Sequence, residues 1–174
     1  DSFWNKIEEL LPLVAKGKSP IAVNIYNMLV DRILRTESHR NTYNAELLRN
    51  VCETVNPELL NTECVTVKIE RKGQLKQSEL ASVRESWFAH YSKALFMLGE
   101  YDRCISVCEE AFATLKKMHY SNEIWFGRRM ALCMSQQGKV EEAIQAFEKL
   151  TKTKSDWFMI AELAGLYRRA GNPD

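Results

Sequence analysis

ESWFAHYSKALFMLGEYDRCISVCEEAF, residues 85–112, reads as two amphipathic helices separated by a glycine. Leu80, Val83, Trp87, Tyr91, Ala94, Leu95 and Leu98 recur at three- and four-residue spacing, so one helix is expected from Ser78 to Gly99. Gly99 supplies the left-handed conformation a tight turn demands. The plan returns in EIWFGRRMALCMSQQGKVEEAIQAF, residues 123–147, and in SDWFMIAELAGLYRRAGNPD, residues 155–174. Each stretch carries a Trp-Phe pair, and its first helix stops at Gly99, Gly138 or Gly171. From Trp87 to Trp125 is 38 residues and from Trp125 to Trp157 is 32; the glycine steps are 39 and 33. The repeating unit is one helix pair. No such pair buries its own apolar face, so neighbours must stack, with Ala94, Ala111, Ala131 and Ala143 permitting close approach and aromatic residues filling the gaps.

Upstream the repeat is lost but the helical period is not. Phe3, Trp4, Ile7, Leu10, Leu11 and Val14 share one face of a helix over 3–16, which Pro12 is expected to kink or end. Ser19-Pro20 reads as an N-cap with proline in the first turn, and Ile21, Ile25, Met28, Leu29 and Ile33 carry a second helix to about Leu34 or Thr36. A third, about 43–55, buries Leu47, Leu48, Val51, Cys52 and Val55 and stops before Asn56-Pro57. Between Cys64 and Gln77 the period changes to two: Val65, Val67 and Ile69 alternate with Thr66, Lys68 and Glu70. This is a short extended segment or irregular connector, whose Lys68, Arg71, Lys72 and Lys76 read as a solvated basic loop. It divides the chain into an N-terminal helical region, 1–77, and a repeat region, 78–174.

The 174 residues are 45% hydrophobic and 27% charged, a composition that suits a folded domain rather than a disordered tail. Lys plus Arg number 24 against 23 Asp plus Glu, so no global field draws the chain to nucleic acid or an anionic membrane. No apolar run approaches the roughly 20 residues of a membrane span. Five cysteines, with no CxxC pair, suit a reducing cytosol, and cytoplasmic localisation is expected. Cys104 and Cys108 share a helix face within an apolar stripe and read as buried hydrophobes rather than soft metal ligands. No export signal is visible at DSFWNKIEELL, and GLYRRAGNPD reads as a helix stop followed by the start of another element, as in a piece of a longer protein.

The repeat features resemble the tetratricopeptide repeat, which recurs about every 34 residues. The resemblance covers 85–174 and implies an all-α, right-handed superhelix of helix pairs: two full repeats and the first helix of a third. With Gly99, Gly138 and Gly171 at the turn, Tyr101 and Val140 follow it. Cys104 and Ala143 then take the small position of the second helix, Cys108 and Phe147 its bulky one, and Ala111 and Leu150 the closing one. Two features depart from the family. Ser92, Ala131 and Ala164 stand where its first helix carries a glycine, and about five extra residues fall around Lys117–Asn122. Residues 20–56 read equally as degenerate repeats or as a separate cap.

No Gly-rich phosphate loop, HExxH, GxSxG or EF-hand loop occurs, so no enzyme, cofactor or metal is expected. His39, His90 and His119 are far apart, and His90 reads as structural. Glu8-Glu9, Glu109-Glu110 and Glu141-Glu142 are solvated helix faces, since adjacent helical residues point about 100° apart. The resemblance implies instead a concave surface lined by the first helix of each repeat. It gathers Lys93, Phe96 and Met97; Trp125, Arg128, Arg129 and Leu132; and Phe158, Ala161, Glu162 and Arg168. Its binding-groove candidates are Lys93, Phe96, Trp125, Arg128, Arg129, Phe158 and Arg168, because Trp and Arg dominate many interfaces. The competing reading makes Trp125 and Phe158 core between repeats. Where the family's peptide-carboxylate clamp carries Lys, Asn, Asn, Lys and Arg, this chain has Ala89, Lys93, Arg129, Phe158 and Glu162, which argues against chaperone-tail binding. The expected function is a non-catalytic scaffold for a peptide or protein segment, or for positioning domains of a longer protein. The alternative is a nucleic-acid-associated helical module of a multidomain bacterial regulatory or defence protein. It would use Arg128, Arg129, Lys149, Lys152, Lys154, Arg168 and Arg169 as a basic strip, although Glu109, Glu110, Glu141, Glu142 and Glu148 interleave with them.

Overall fold

The computed structural model describes residues 2–38, 43–71 and 73–171. The side chains of Phe3, Trp4, Glu8 and Arg71, together with His39, Lys72 and residues 172–174, lie outside that description, as do the expectations resting on them. Among the described residues the chain is predominantly helical. The helices are α1 (Ser2–Ala15), α2 (Pro20–Ser38), α3 (Ala45–Thr54), α4 (Val83–Met97), α5 (Tyr101–Thr114), α6 (Asn122–Gln136), α7 (Val140–Thr153) and α8 (Trp157–Arg169). A single 3-10 turn, Pro57–Leu59, follows α3, and two strands, β1 (Val65–Arg71) and β2 (Gln74–Leu80), precede α4.

Three sequence expectations are corrected here. First, the connector at 64–77 is all but the last three residues of an antiparallel hairpin, with Val65 opposite Leu80 and Arg71 opposite Gln74. Residues 78–80 are therefore strand, and α4 starts at Val83 behind the Ser82 cap, whose side chain accepts from the Glu85 N–H. Leu80 counted toward the helical stripe only because its spacing from Val83 happens to fit. Second, α1 runs through Pro12 to Ala15. Pro12 itself is exposed. Third, α2 runs to Ser38, past the expected end at Leu34 or Thr36; it buries Tyr26, Val30, Ile33 and Leu34, whereas Ile21, Ile25 and Met28 lie on its opposite flank, with Ile21 72% and Met28 71% exposed. The Ser19 cap is as expected: its Oγ accepts from Ala22 N–H at 3.2 Å.

Successive helices pack on each other from α3 to α8, and alternate helices also touch: α1 on α3, α2 on α4, α4 on α6. Gly99, Gly138 and Gly171 have φ of +75°, +82° and +78°, the left-handed conformation that ends α4, α6 and α8 and, at Gly99 and Gly138, turns the chain into α5 and α7. Two buried clusters result. The larger joins Leu11, Tyr26, Val30, Leu34, Leu48, Val51 and Cys52 to Trp87, Phe88, Leu95, Cys104, Cys108 and Phe126, and so runs continuously from α1 to α6. The smaller unites Ile124, Ala131, Ala143, Phe147, Met159 and Leu166 of α6, α7 and α8.

Polar latches hold the N-terminal helices in register. The Trp87 indole donates to the Cys52 carbonyl at 3.1 Å. Asn27, buried on α2, donates to the Leu59 carbonyl and accepts from Asn61 N–H at 2.6 Å, and the Tyr26 hydroxyl accepts from Asn56 N–H at 2.7 Å. In the first turn of α4, near Trp87, the Glu85 carboxylate is fully buried. It accepts from His119 N–H, from Asn122 Nδ2 at 2.8 Å and, through its second oxygen, pairs with His119 Nδ1 at 2.8 Å. A buried carboxylate with this many donors is satisfied. It fixes the loop between α5 and α6, where Tyr120 and Ser121 adopt positive φ.

Candidate functional site

The first helices α4, α6 and α8 carry all seven expected groove residues, and the structure sorts them into two groups. On α6 and α8, the Trp125 and Phe158 rings stack in parallel, 5.5 Å between centroids and 2° between planes. The Arg128 guanidinium lies 5.6 Å from the Trp125 ring and 5.9 Å from Phe158. It also grips Glu162 with a forked pair of hydrogen bonds, Nε to Oε2 at 2.7 Å and Nη2 to Oε1. A bidentate guanidinium–carboxylate pair beside aromatic faces is a strong, geometrically defined contact. This group is a clasp between α6 and α8, and Arg128 already has its carboxylate. Arg168 stands apart from the clasp, exposed near the end of α8.

The second group lies between α4 and α6. The Lys93 ammonium sits 3.9 Å over the Tyr43 ring, a cation–π contact. Arg129 donates from Nη1 to Ser92 Oγ at 3.0 Å and lies 5.8 Å from the Phe126 ring. No carboxylate among the described residues pairs with Lys93 or Arg129. Burial holds the Lys93 ammonium below its usual range, and the charge of Arg129 adds to the effect. Burial likewise lowers Arg129, partly offset by the nearby Cys108 and Cys104 thiols and Tyr43. Arg129 is half-buried and Lys93 exposed, and neither positive charge is neutralised by a described carboxylate. Phe96 flanks α4 as a half-buried ring 6.3 Å from Tyr101.

Tyr43 was not legible as part of this site. It lies 50 residues before Lys93, in a segment with no repeat, and its hydroxyl donates to the His90 carbonyl at 3.4 Å. Ser92 was read only as a small packing residue, yet its hydroxyl accepts a hydrogen bond from the Arg129 guanidinium. The cysteines expected to be hydrophobic are so: Cys52, Cys104, Cys108 and Cys133 are buried and unbridged. Cys104 is pushed up to about 12, the lowering by the Cys108 hydrogen bond being outweighed by Cys133 and burial. Such thiols are poor nucleophiles and poor ligands.

A groove of about 440 Å³ opens on the far side of α6, lined by Gly127, Met130 and Met134 with Phe112 of α5 and Ala146 and Leu150 of α7. Helical geometry puts those α6 residues roughly opposite Trp125, Arg128, Arg129 and Leu132. Among the described residues no helix is long and apolar enough to cross a membrane. Compared with family models, with curated proteins and with solved structures, the chain matches none.

Proposed function

We propose that the chain is a non-catalytic scaffold of tetratricopeptide type, a superhelix of helix pairs that binds an acidic segment of a protein partner at Lys93 and Arg129. The observation that carries this reading is a pair of cations with no described carboxylate, an exposed Lys93 over Tyr43 and a half-buried Arg129 on Ser92. A carboxylate placed between them relieves their mutual repulsion and gains charge-assisted hydrogen bonds in a partly dry setting. The packing of α4 on α6, and of α6 on α8 through the Trp125 clasp, supports an extended face for the rest of the segment. A basic strip for nucleic acid is poorly supported, since Arg128 is spent on Glu162, Lys154 on Asp156 at 3.3 Å, and Arg169 donates to Ser135 at 3.1 Å.

The test is fluorescence anisotropy of the 174-residue chain against peptides that differ only in acidic content. Acidic peptides bind, neutral ones do not, and Lys93→Ala and Arg129→Gln each weaken binding about tenfold or more, the scale of one lost charged hydrogen bond. Equal binding of acidic and neutral peptides overturns the site. Tight, steeply salt-dependent binding of an oligonucleotide instead favours the nucleic-acid reading.

A further inference from the structure

A second cluster lies at the opposite end of α4 from the cation pair and owes nothing to the groove. Cys64, just before β1, Glu79 on β2 and His119 in the loop between α5 and α6 bring one sulfur, one carboxylate oxygen and one ring nitrogen within 4.8 Å of one another. The His119 side chain is only 8% exposed, and its Nε2 is buried without a hydrogen-bond partner, 3.5 Å from Glu79 Oε2. A buried ring nitrogen with no partner is costly unless something else occupies it. Its other nitrogen, Nδ1, is held at 2.8 Å by the buried Glu85 carboxylate. Carboxylate to Nδ1, with Nε2 facing the ligand space, is the arrangement by which proteins orient a metal-binding histidine and raise its basicity.

We propose that Cys64, Glu79 and His119 bind a zinc ion, with Glu85 positioning His119 and water completing a tetrahedron. The mixed sulfur, nitrogen and oxygen set suits this borderline-soft cation and disfavours calcium and magnesium, which take oxygen ligands. Zinc holds such ligands at about 2.0–2.3 Å, so ligand atoms come to roughly 3.3–3.7 Å of one another, and rotation of the half-exposed Cys64 and Glu79 side chains supplies the closure. The thiol gives up its proton to solvent as the ion binds. Lys117 now bridges to the same Glu79 oxygen; its side chain is 61% exposed and swings into water when the dication arrives. The ion ties the hairpin and the residue just before it to the α5–α6 loop. Sequence spacing conceals the site, because its ligands lie 15 and 40 residues apart in unrelated segments.

Titration of the reduced 174-residue chain with cobalt(II), followed by zinc displacement, tests the site. The expected result is one equivalent of tetrahedral cobalt with a thiolate charge-transfer band, bleached by zinc, and a rise in melting temperature on zinc addition. Cys64→Ser, a change at a half-buried position, abolishes the band and the rise while far-UV circular dichroism stays native. Glu85→Gln weakens affinity roughly ten- to hundredfold, the cost of losing an orienting partner. Absence of a thiolate band in the native chain overturns the proposal, and so does a band of equal strength in Cys64→Ser, which would belong to the other cysteines.

Discussion

Glu100 shows how much one residue can tie together. It stands between α4 and α5, at the turn that Gly99 makes, and accepts from Arg49 Nη1 of α3 at 2.9 Å and from Arg103 of α5. Arg103 continues the chain of charges to Glu53 and to the Tyr91 hydroxyl, each at 2.6 Å. The Arg49 hydrogen bond, with Arg103 behind it, holds the Glu100 carboxyl below its ordinary value of 4.5. In the unfolded chain Glu100 takes up a proton near that value, whereas in the folded chain it stays ionised to lower pH. The unfolded state therefore binds more protons in this window, and stability falls as pH drops from about 4.5 through the lowered value. Urea unfolding of native protein and of Glu100→Gln between pH 3 and pH 7 checks this. The variant is less stable at pH 7 and the two curves converge toward low pH; parallel curves would mean that Glu100 contributes no proton linkage.

Elements separate the legible from the hidden. The α4–α5 and α6–α7 pairs were readable because apolar spacing, the Trp-Phe pairs and the glycine stops agree, and local and global preferences coincide there. Strand β2, QLKQSEL, was not readable: it is polar on both faces, and its first residues are exposed, so neither period marks it. Strand β1 was, through Val65, Val67 and Ile69. Which flank of α2 is buried was not legible, because aliphatic residues surround that helix and only the partner helices decide which are covered. Of the expected site, the helices that carry it and Glu162 on its surface were legible, but the division into clasp and cation pair was not, since spacing does not pair Glu162 with Arg128 and Tyr43 reaches the site from elsewhere in the chain.

Two glycines test this element-level account. Gly165 sits inside α8 with φ in the ordinary range, and a Cβ there meets nothing within 4 Å, so Gly165→Ala gains helix propensity of about 1 kcal/mol. Gly138 also has open space around it, but at φ +82° any side chain strains the backbone, so Gly138→Ala loses about 1–2 kcal/mol. Opposite signs in thermal unfolding distinguish turn geometry from crowding, since both sites are equally uncrowded.

At the scale of the whole molecule, the two buried clusters meet only along α6, which gives Phe126 and Cys133 to one and Ile124 and Ala131 to the other. The smaller cluster has a thinner cover. Trp157 is 80% and Ile160 53% exposed on α8, on a flank that no other described element covers, although Trp87 at the matching place in the first repeat is 4% exposed. Among the described residues α8 packs chiefly on α7, so α8 opens more readily than the helices around the larger cluster. Met159, fully buried, is the side chain of α8 that fills this cluster most deeply. Met159→Ala removes packing worth about 2–5 kcal/mol. Amide exchange then accelerates across α7 and α8, while α3, α4 and α5 keep their protection because the larger cluster is untouched. The Trp125–Phe158 stack loosens with α8, but Lys93 and Arg129 rest on Tyr43, Ser92 and Phe126 of the larger cluster. Affinity for an acidic peptide therefore survives in Met159→Ala if the cation pair is the anchor. Equal acceleration of exchange in all helices would instead show that the array unfolds as one cooperative unit, and loss of peptide binding with α3–α5 still protected would move the anchor to the clasp.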